Sequence, residues 1–266
     1  MNINHDFHIH TSLSLCADPA TQAQDFIVPA MEAGIDRIGI SNHFWDGDVE
    51  SLRDDGYFTM QNFERLSREL EYIRSEKRIS VSFGCEGEYD PVGHDVAMTE
   101  ATAEKFDHIL VPNSHTHLVM PDEYWDDIPR HKEFLMTAYT DIIRGKVSKY
   151  ITAIAHPFEV VGYSREKLSA LVATVSDDEF KRIFDETAER GIAYELNVGG
   201  GRKLTREEYE SSPSIRMARL AKECGCRFLF GSDAHAAREF VYFKENAEMV
   251  AEALELKDND IAEIGR

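Results

Sequence analysis

The chain has 266 residues, 42% of them hydrophobic and 10% aromatic, enough apolar material for a sizeable core and too much for a disordered chain. Its 49 Asp and Glu against 29 Lys and Arg leave a formal charge of −20, which would repel a long nucleic acid or an anionic membrane before contact. No apolar run approaches the roughly 18–20 residues of a membrane span, MNINHDFHIH is no signal peptide, and the four cysteines (Cys16, Cys85, Cys224, Cys226) are too irregularly spaced for a disulfide framework, so a reducing cytoplasm is the expected setting.

Taken in chain order, short apolar runs alternate with longer amphipathic ones. Residues 6–10 read as a strand, 24–34 as a helix, 37–43 as a strand and 62–77 as a helix. Strand 79–86, a helix at about 99–105, strand 107–115 and helix 133–149 follow, then strand 151–156, helix 178–190, strand 193–198, helix 205–223, strand 227–235 and helix 238–256. Gly34, Gly191 and Gly225 fall where helices would end, just ahead of the next strand. Seven strand–helix units without a linker predict one α/β domain over residues 1–266, built on a parallel sheet covered by helices. A barrel one unit short of the usual eight fits the length; an open doubly wound sheet is the alternative.

The predicted strands end in histidines or carboxylates: His8 and His10, His43, Glu86, His115, His156, then Asp233 and His235. In parallel α/β folds these ends and the following loops form the active-site face, so distant segments would deliver metal-ligating groups to one rim. Residues i and i+2 of a strand point the same way, so His8 with His10, and Asp233 with His235, can each present two ligands to one cavity. Imidazole and carboxylate suit zinc, iron or manganese, and a carboxylate such as Glu86 can bridge two ions in a site that activates water.

The stretches DFHIHTSLSLCA, SNHF, GCEGEYD and GSDAH, with SHTH and AHPF between them in order, resemble the polymerase-and-histidinol-phosphatase superfamily of metal-dependent phosphoesterases over nearly the whole chain. The resemblance implies a distorted (β/α)7 barrel. It implies a first metal on His8, His10, Glu86 and Asp233, a second on Glu86, His115 and His156, and in some members a third on His43 and His235. Cys16 stands where a histidine or aspartate often follows the first motif, with Asp18 close behind, so the third site has a thiolate ligand, is weak, or is missing; two or three divalent ions are expected. A narrower resemblance, through YELNVGGGRKL and YESSPS, is to the histidinol-phosphatase branch. It implies hydrolysis of a small phosphate monoester by a metal-bridging hydroxide, with histidinol phosphate the leading substrate and histidine biosynthesis the setting.

Loop 199–201 would let the chain turn closely over a ligand, with Arg202 or Lys203 on the phosphate and Arg238 a second candidate. Asp233, His235 or His117 would donate the proton to the leaving alcohol. Each histidine alone has a plainer reading as a hydrogen-bonded core or surface residue, but the ordered set is hard to assign to coincidence. Glu88 reads by default as a loop carboxylate, His5, His94, His108 and His131 as solvated, Cys85 as structural, and Cys224 and Cys226 carry no role. The polar segment 45–57 either shapes the pocket or merely connects. An amidohydrolase would bridge its metals with a carboxylated lysine, where this third strand ends in Glu86; a metal-binding scaffold without catalysis is the other alternative.

Overall fold

A computed structural model describes residues 2–52 and 56–264. Seven parallel strands follow one another round the barrel in chain order: β1 (His5–Ile9), β2 (Arg37–Ile40), β3 (Ser80–Gly87), β4 (His108–Pro112), β5 (Ala153–Ala155), β6 (Ala193–Asn197) and β7 (Phe228–Gly231). Strands β1, β4 and β5 are buried at every residue, as expected where side chains meet the helix layer on one face and the barrel interior on the other. The barrel is nearly closed between β7 and β1. There His10 N donates to Ala234 O and Asp233 N to His8 O, both at 2.8 Å. Lower in the same seam, side chains take the place of the ladder: Phe230 N donates to His5 Nε2 at 3.2 Å and Ser232 N to the buried Asp6 Oδ1 at 3.0 Å. The open sheet is thereby excluded.

The outer helices start where short polar side chains satisfy their first N–H groups. Ser176 and Glu179 form a capping box on Asp177–Glu189, Thr205 and Glu208 another on Arg206–Glu210, and Asp127 caps Ile128–Arg144. The predicted helix 205–223 is broken in two, because Ser212 caps a second helix, Pro213–Glu223, whose first residue has no N–H to offer. Helix 62–77 is likewise split, into Phe63–Leu66 and Leu70–Ser75 joined by a 3-10 turn. Elements without a counterpart in the sequence reading include helices Tyr57–Met60, Thr116–Val119 and Arg165–Ala173, the strand pair Tyr89–Asp90 and Asp95–Val96, and the two-residue strand His43–Phe44 beside β3. None of the described helices is long and apolar enough to cross a membrane.

Three histidines expected in solvent are core residues. His108 is 1% exposed, and its ring lies between Ser41 Oγ at 2.7 Å and Ser82 Oγ at 2.8 Å. It fills the space left by Gly39 and Gly84, where an added Cβ would stand 2.7 and 2.2 Å from the imidazole. His131 is fully buried between Tyr163 OH at 2.5 Å and Thr116 Oγ1 at 3.0 Å, and His5 is buried in the β1–β7 seam. His94 alone of the four is exposed, 2.8 Å from Asp141 Oδ2. Of segment 45–57, residues 53–55 lie outside the described residues; Trp45 is buried against Phe58, and Asp46 accepts bonds from Thr99 N and Oγ1.

Candidate metal centre

The C-terminal rim gathers all eight of the strand-end histidines and carboxylates. β1 carries His8 and leads into His10, the ministrand starts at His43, and β3 ends with Glu86 in its register. β4 stops at Pro112, earlier than the predicted strand. His115 therefore sits at the start of the short helix Thr116–Val119 rather than on a strand. His117 lies on that helix, exposed, with its ring 5.7 Å from that of His115, so it does not share a strand face with His115. His156 follows β5, and Asp233 and His235 follow β7. His156 and Asp233 both hold left-handed backbone, at φ 26° and 52°, a strained conformation for residues with a Cβ that is concentrated at functional positions.

Each ring is turned by a partner on its far nitrogen. His8 Nδ1 donates to Glu195 Oε1 at 2.6 Å, and His10 Nδ1 to Ser14 Oγ at 2.9 Å, the hydroxyl itself donating to Asn42 Oδ1. His115 Nδ1 donates to Glu88 Oε2 at 3.0 Å and His235 Nδ1 to the Asp233 carbonyl at 2.8 Å, while His156 Nδ1 is 2.7 Å from Ser114 Oγ. An acceptor on Nδ1 fixes the proton there and leaves the Nε2 lone pair directed inward, the tautomer a metal needs. Accordingly His8 Nε2 and His10 Nε2 face each other at 3.0 Å, His10 Nε2 is 3.1 Å from Asp233 Oδ1, and His156 Nε2 is 3.0 Å from Glu86 Oε1.

The donor set fits divalent ions. Glu86 Oε2 is buried with His43 Nδ1 at 3.0 Å, His8 Nε2 at 3.4 Å and His10 Nε2 at 3.5 Å, yet neither it nor His43 Nδ1 makes a bond of hydrogen-bond geometry. Groups this close and unbonded are better satisfied by a cation between them than by one another. Ligand atoms lie within 4.8 Å of one another in four sets: His8–His10–Asp233, His8–Glu86–His156, His10–His43–His235 and His43–Glu88–His115. The first has three of the four residues expected for the first ion, without Glu86; the second has Glu86 and His156 with His8 in place of the expected His115, which falls in the fourth set with His43 and Glu88; the third adds His10 to His43 and His235. Cys16 Sγ is 3.2 Å from His235 Nε2, at the edge of that third set.

The electrostatics favour positive charge. Without an ion, burial opposes the charged form of His8, but Glu195, Glu86 and Asp233 hold it well above the usual histidine range, so that its Nε2 then carries a proton that a bound cation would displace; His156 is likewise raised to about 9 by its bond to Glu86. His10 goes the other way, to about 3, because burial prevails and His43, His235 and His8 repel a further proton. Against burial, His8, His10 and His156 keep Asp233 ionised, and His115 and His43 bring Glu88 down to about 2. Cys16, which burial would raise, is brought to about 6 by bonds from His235 and His43.

Two carboxylates escaped the sequence reading. Glu195, buried on β6, accepts from both His8 Nδ1 and His156 N at 2.6 Å and so couples two walls of the site. Its signal was a charged residue between apolar ones on a strand, facing the interior with Ala193 and Asn197. Glu88, set down as a loop carboxylate, is 1% exposed between His43 and His115.

The three candidate phosphate cations are exposed and paired: Arg202 with Glu208 at 2.9 Å, Lys203 with Glu245 at 2.6 Å and Arg238 with Asp18 at 2.7 Å. Only Arg202 of the three lines the cavity of about 550 Å³ that opens beside Asp233, between the glycine loop and Ser232–Ala234. Asn246, buried on helix Phe243–Ala253, shapes that loop: its Nδ2 donates to the carbonyls of Val198, Gly199 and Arg202, and its Oδ1 accepts from Leu204 N at 2.8 Å.

A scan against protein-family models and a search of curated proteins return no match. Among solved structures, the chain is similar to histidinol phosphate phosphatase from Lactococcus lactis subsp. lactis Il1403, solved with zinc, L-histidinol and phosphate. The TM-score is 0.59 and the identity 14%, over 94% of this chain and 93% of that one. A Listeria monocytogenes protein assigned as a histidinol phosphatase superposes with a TM-score of 0.62 and 15% identity, over 88% and 96% of the two chains. The distorted seven-stranded barrel of this chain is therefore the fold it shares with these histidinol phosphatase structures.

Proposed function

We propose that the chain belongs to the polymerase-and-histidinol-phosphatase superfamily and hydrolyses a small phosphate monoester with two or three divalent ions, histidinol phosphate being the leading substrate. The observation that carries this reading is the orientation of four rings, His8, His10, His115 and His235, whose Nδ1 atoms each face an acceptor, so that Nε2 is turned toward Glu86 or Asp233 in His8, His10 and His115 and toward Cys16 in His235. Ions would be held by His8, His10, Glu86 and Asp233, by Glu86, His115 and His156, and by His43, His235 and Cys16. When bound they supply Lewis acidity toward phosphoryl oxygens and an acidified water as nucleophile at neutral pH.

The remaining work falls to side chains. Asp233, 32% exposed, reaches from the metal centre into the cavity and is steadied by Asn197 Nδ2 at 3.3 Å, so it orients the ester. Arg202 neutralises phosphoryl oxygens from the cavity wall. Its pairing with Glu208 is no obstacle, since an exposed ion pair is worth only about 0–1 kcal/mol. His117 lies outside the four metal-holding sets and gives its proton to the leaving alcohol, a task for which His235 and Asp233, as ligands, are poorer acids. Glu86 at the central position, in place of a lysine, favours the phosphatase over an amidohydrolase.

The test is phosphate release from a panel of monoesters including L-histidinol phosphate, using manganese- or zinc-reconstituted protein with His10→Ala as control. Turnover lost in the control supports the reading, and preference for histidinol phosphate supports the named substrate. Protein that binds metal and releases phosphate from no ester refutes it.

A further inference from the structure

Beside the clustered rings of His10, His43 and His235 stands a group of a different chemical kind, the thiol of Cys16. Its loop, which follows β1, is pinned on either side of the cysteine to the histidines it faces. Two residues before it, Ser14 Oγ accepts from His43 N at 3.0 Å; two residues after it, Asp18 N donates to the His235 carbonyl at 3.0 Å. The backbone thereby sets the thiol against the rings, with Sγ 3.2 Å from His235 Nε2. The other cysteines are placed differently. Cys85 is buried in the core, and Cys224 and Cys226 donate to the carbonyls of Lys181 and Phe184 on helix Asp177–Glu189.

The carboxylates around this position are engaged elsewhere. Asp233 lies on the other nitrogen of His235, 3.7 Å from Nδ1, and Glu86 and Glu88 lie against His43 Nδ1 at 3.0 and 3.1 Å. Asp18, the acidic residue next along the loop, has Oδ2 on Arg238 at 2.7 Å and Oδ1 on Ala20 N at 3.0 Å. His10 Nε2 is turned to Asp233, in the first position. The anionic donor at the outer edge of the His43–His235 pair is therefore sulfur, and an ion held there displaces the thiol proton to solvent as its bond to Sγ forms. Thiolate with imidazole selects thiophilic ions, whereas manganese and magnesium are better served by carboxylate oxygen.

We propose that Cys16, with His43 and His235, reserves the third position for a thiophilic divalent ion, zinc above all, while the positions built on Glu86 and Asp233 also accept harder ions such as manganese. This rests on the reading of the ion positions given above and assigns a metal class to one of them. A protein supplied with both metals then carries a mixed centre.

The test titrates metal-free wild type, Cys16→Ser and Cys16→Asp with cobalt(II), a spectroscopic substitute for zinc, following the near-ultraviolet sulfur-to-cobalt charge-transfer band. The same proteins are equilibrated with zinc–manganese mixtures and analysed for bound metal, with phosphate release and melting temperature measured alongside. The expected band appears in the wild type, saturating at one sulfur per chain, and is missing from both variants. One zinc per wild-type chain should resist a manganese excess that displaces the others, and the manganese-to-zinc ratio at which this last zinc leaves should fall about tenfold or more in C16D. Cobalt-loaded wild type without the band, or the same band in C16S, overturns Cys16 as a ligand; an unchanged exchange ratio in C16D overturns the selectivity. Either result leaves the phosphatase intact where the wild type still releases phosphate, because the positions on Glu86 need no sulfur. Wild type that binds no ion overturns the assignment together with the reading beneath it.

Discussion

Substituting Glu195 with glutamine should weaken metal binding without removing a ligand. The carboxylate accepts from His8 Nδ1 with one oxygen and from His156 N with the other, both at 2.6 Å and both in the core. Glutamine keeps the shape but has a single acceptor, so whichever way the amide turns, its NH2 faces a buried N–H. An unsatisfied buried donor costs about 1–3 kcal/mol, and His8 loses the charge that raises its basicity. Losing such a support for a metal-bound imidazole lowers metal affinity roughly 10–100-fold, or about 1.4–2.7 kcal/mol. Competition of the reconstituted protein with a chromophoric chelator measures it. Glu186→Gln, which breaks only exposed pairs to Arg144 and Arg190, serves as the control and should leave affinity alone. E195Q affinity within twofold of the wild type, with the fold intact, would refute the claim that Glu195 presets the His8 ring.

Gly231→Ala should mimic part of that loss, because its Cβ would stand 2.0 Å from Glu195 Oε1 and 2.7 Å from His8 Cβ; the same competition assay reads it. Cys16→Ser should lower the bound metal by one equivalent in metal analysis of fully loaded protein while leaving the His8–His10–Asp233 and His8–Glu86–His156 positions filled. Asn246→Ala removes four hydrogen bonds from loop 198–204, so KM should rise more than kcat falls, with a stability cost on the order of 2 kcal/mol by denaturant titration. Burial holds His108 at about 3, and burial with the charges of Arg37 and Lys244 holds His5 at about 4, whereas both sit near 6.5 in the unfolded chain. The unfolded state therefore binds more protons below pH 6.5: this stability is complete above that pH and falls toward pH 4, by up to about 1.4 kcal/mol per unit for each group. Melting profiles of metal-free protein should show a shallower acid fall in His108→Gln, and parallel profiles would contradict it.

The strand–helix order and the gathering of strand-end histidines and carboxylates at one rim were legible because both repeat. Each barrel strand is an apolar run, and the ordered histidines and carboxylates close those runs. What was not legible depended on distant partners. His108 is an interior residue because Ser41, Ser82, Gly39 and Gly84 come to it from other strands, and none of these is near it in sequence. The early end of β4 is similar, since Asn113 turns to the backbone of Leu135 and Phe158 rather than continuing a ladder. Glu88 became part of the site because the ministrand lays His43 beside it, an element of two residues that no periodicity can announce. Helix Arg165–Ala173 was missed for a different reason: only Leu171 and Val172 of it are buried, too few to write an apolar stripe. The break at Ser212–Pro213, by contrast, was present as a capping residue followed by proline and was passed over.

The seam between β1 and β7 would give bound ions a second meaning. His8 and His10 come from the first strand to be synthesised, Asp233 and His235 from the end of the last, and the seam between them is held by few backbone bonds and by the side chains of His5 and Asp6. An ion gripped from both sides would act as a clasp on the cylinder, so that metal affinity and circumferential closure become one linked equilibrium. The emerging chain cannot assemble that grip until its final strand is available. Stripped of metal, the barrel should part first along this line, with amide exchange quickening in β1 and β7 while β3 and β4, on the far side of the ring, stay protected.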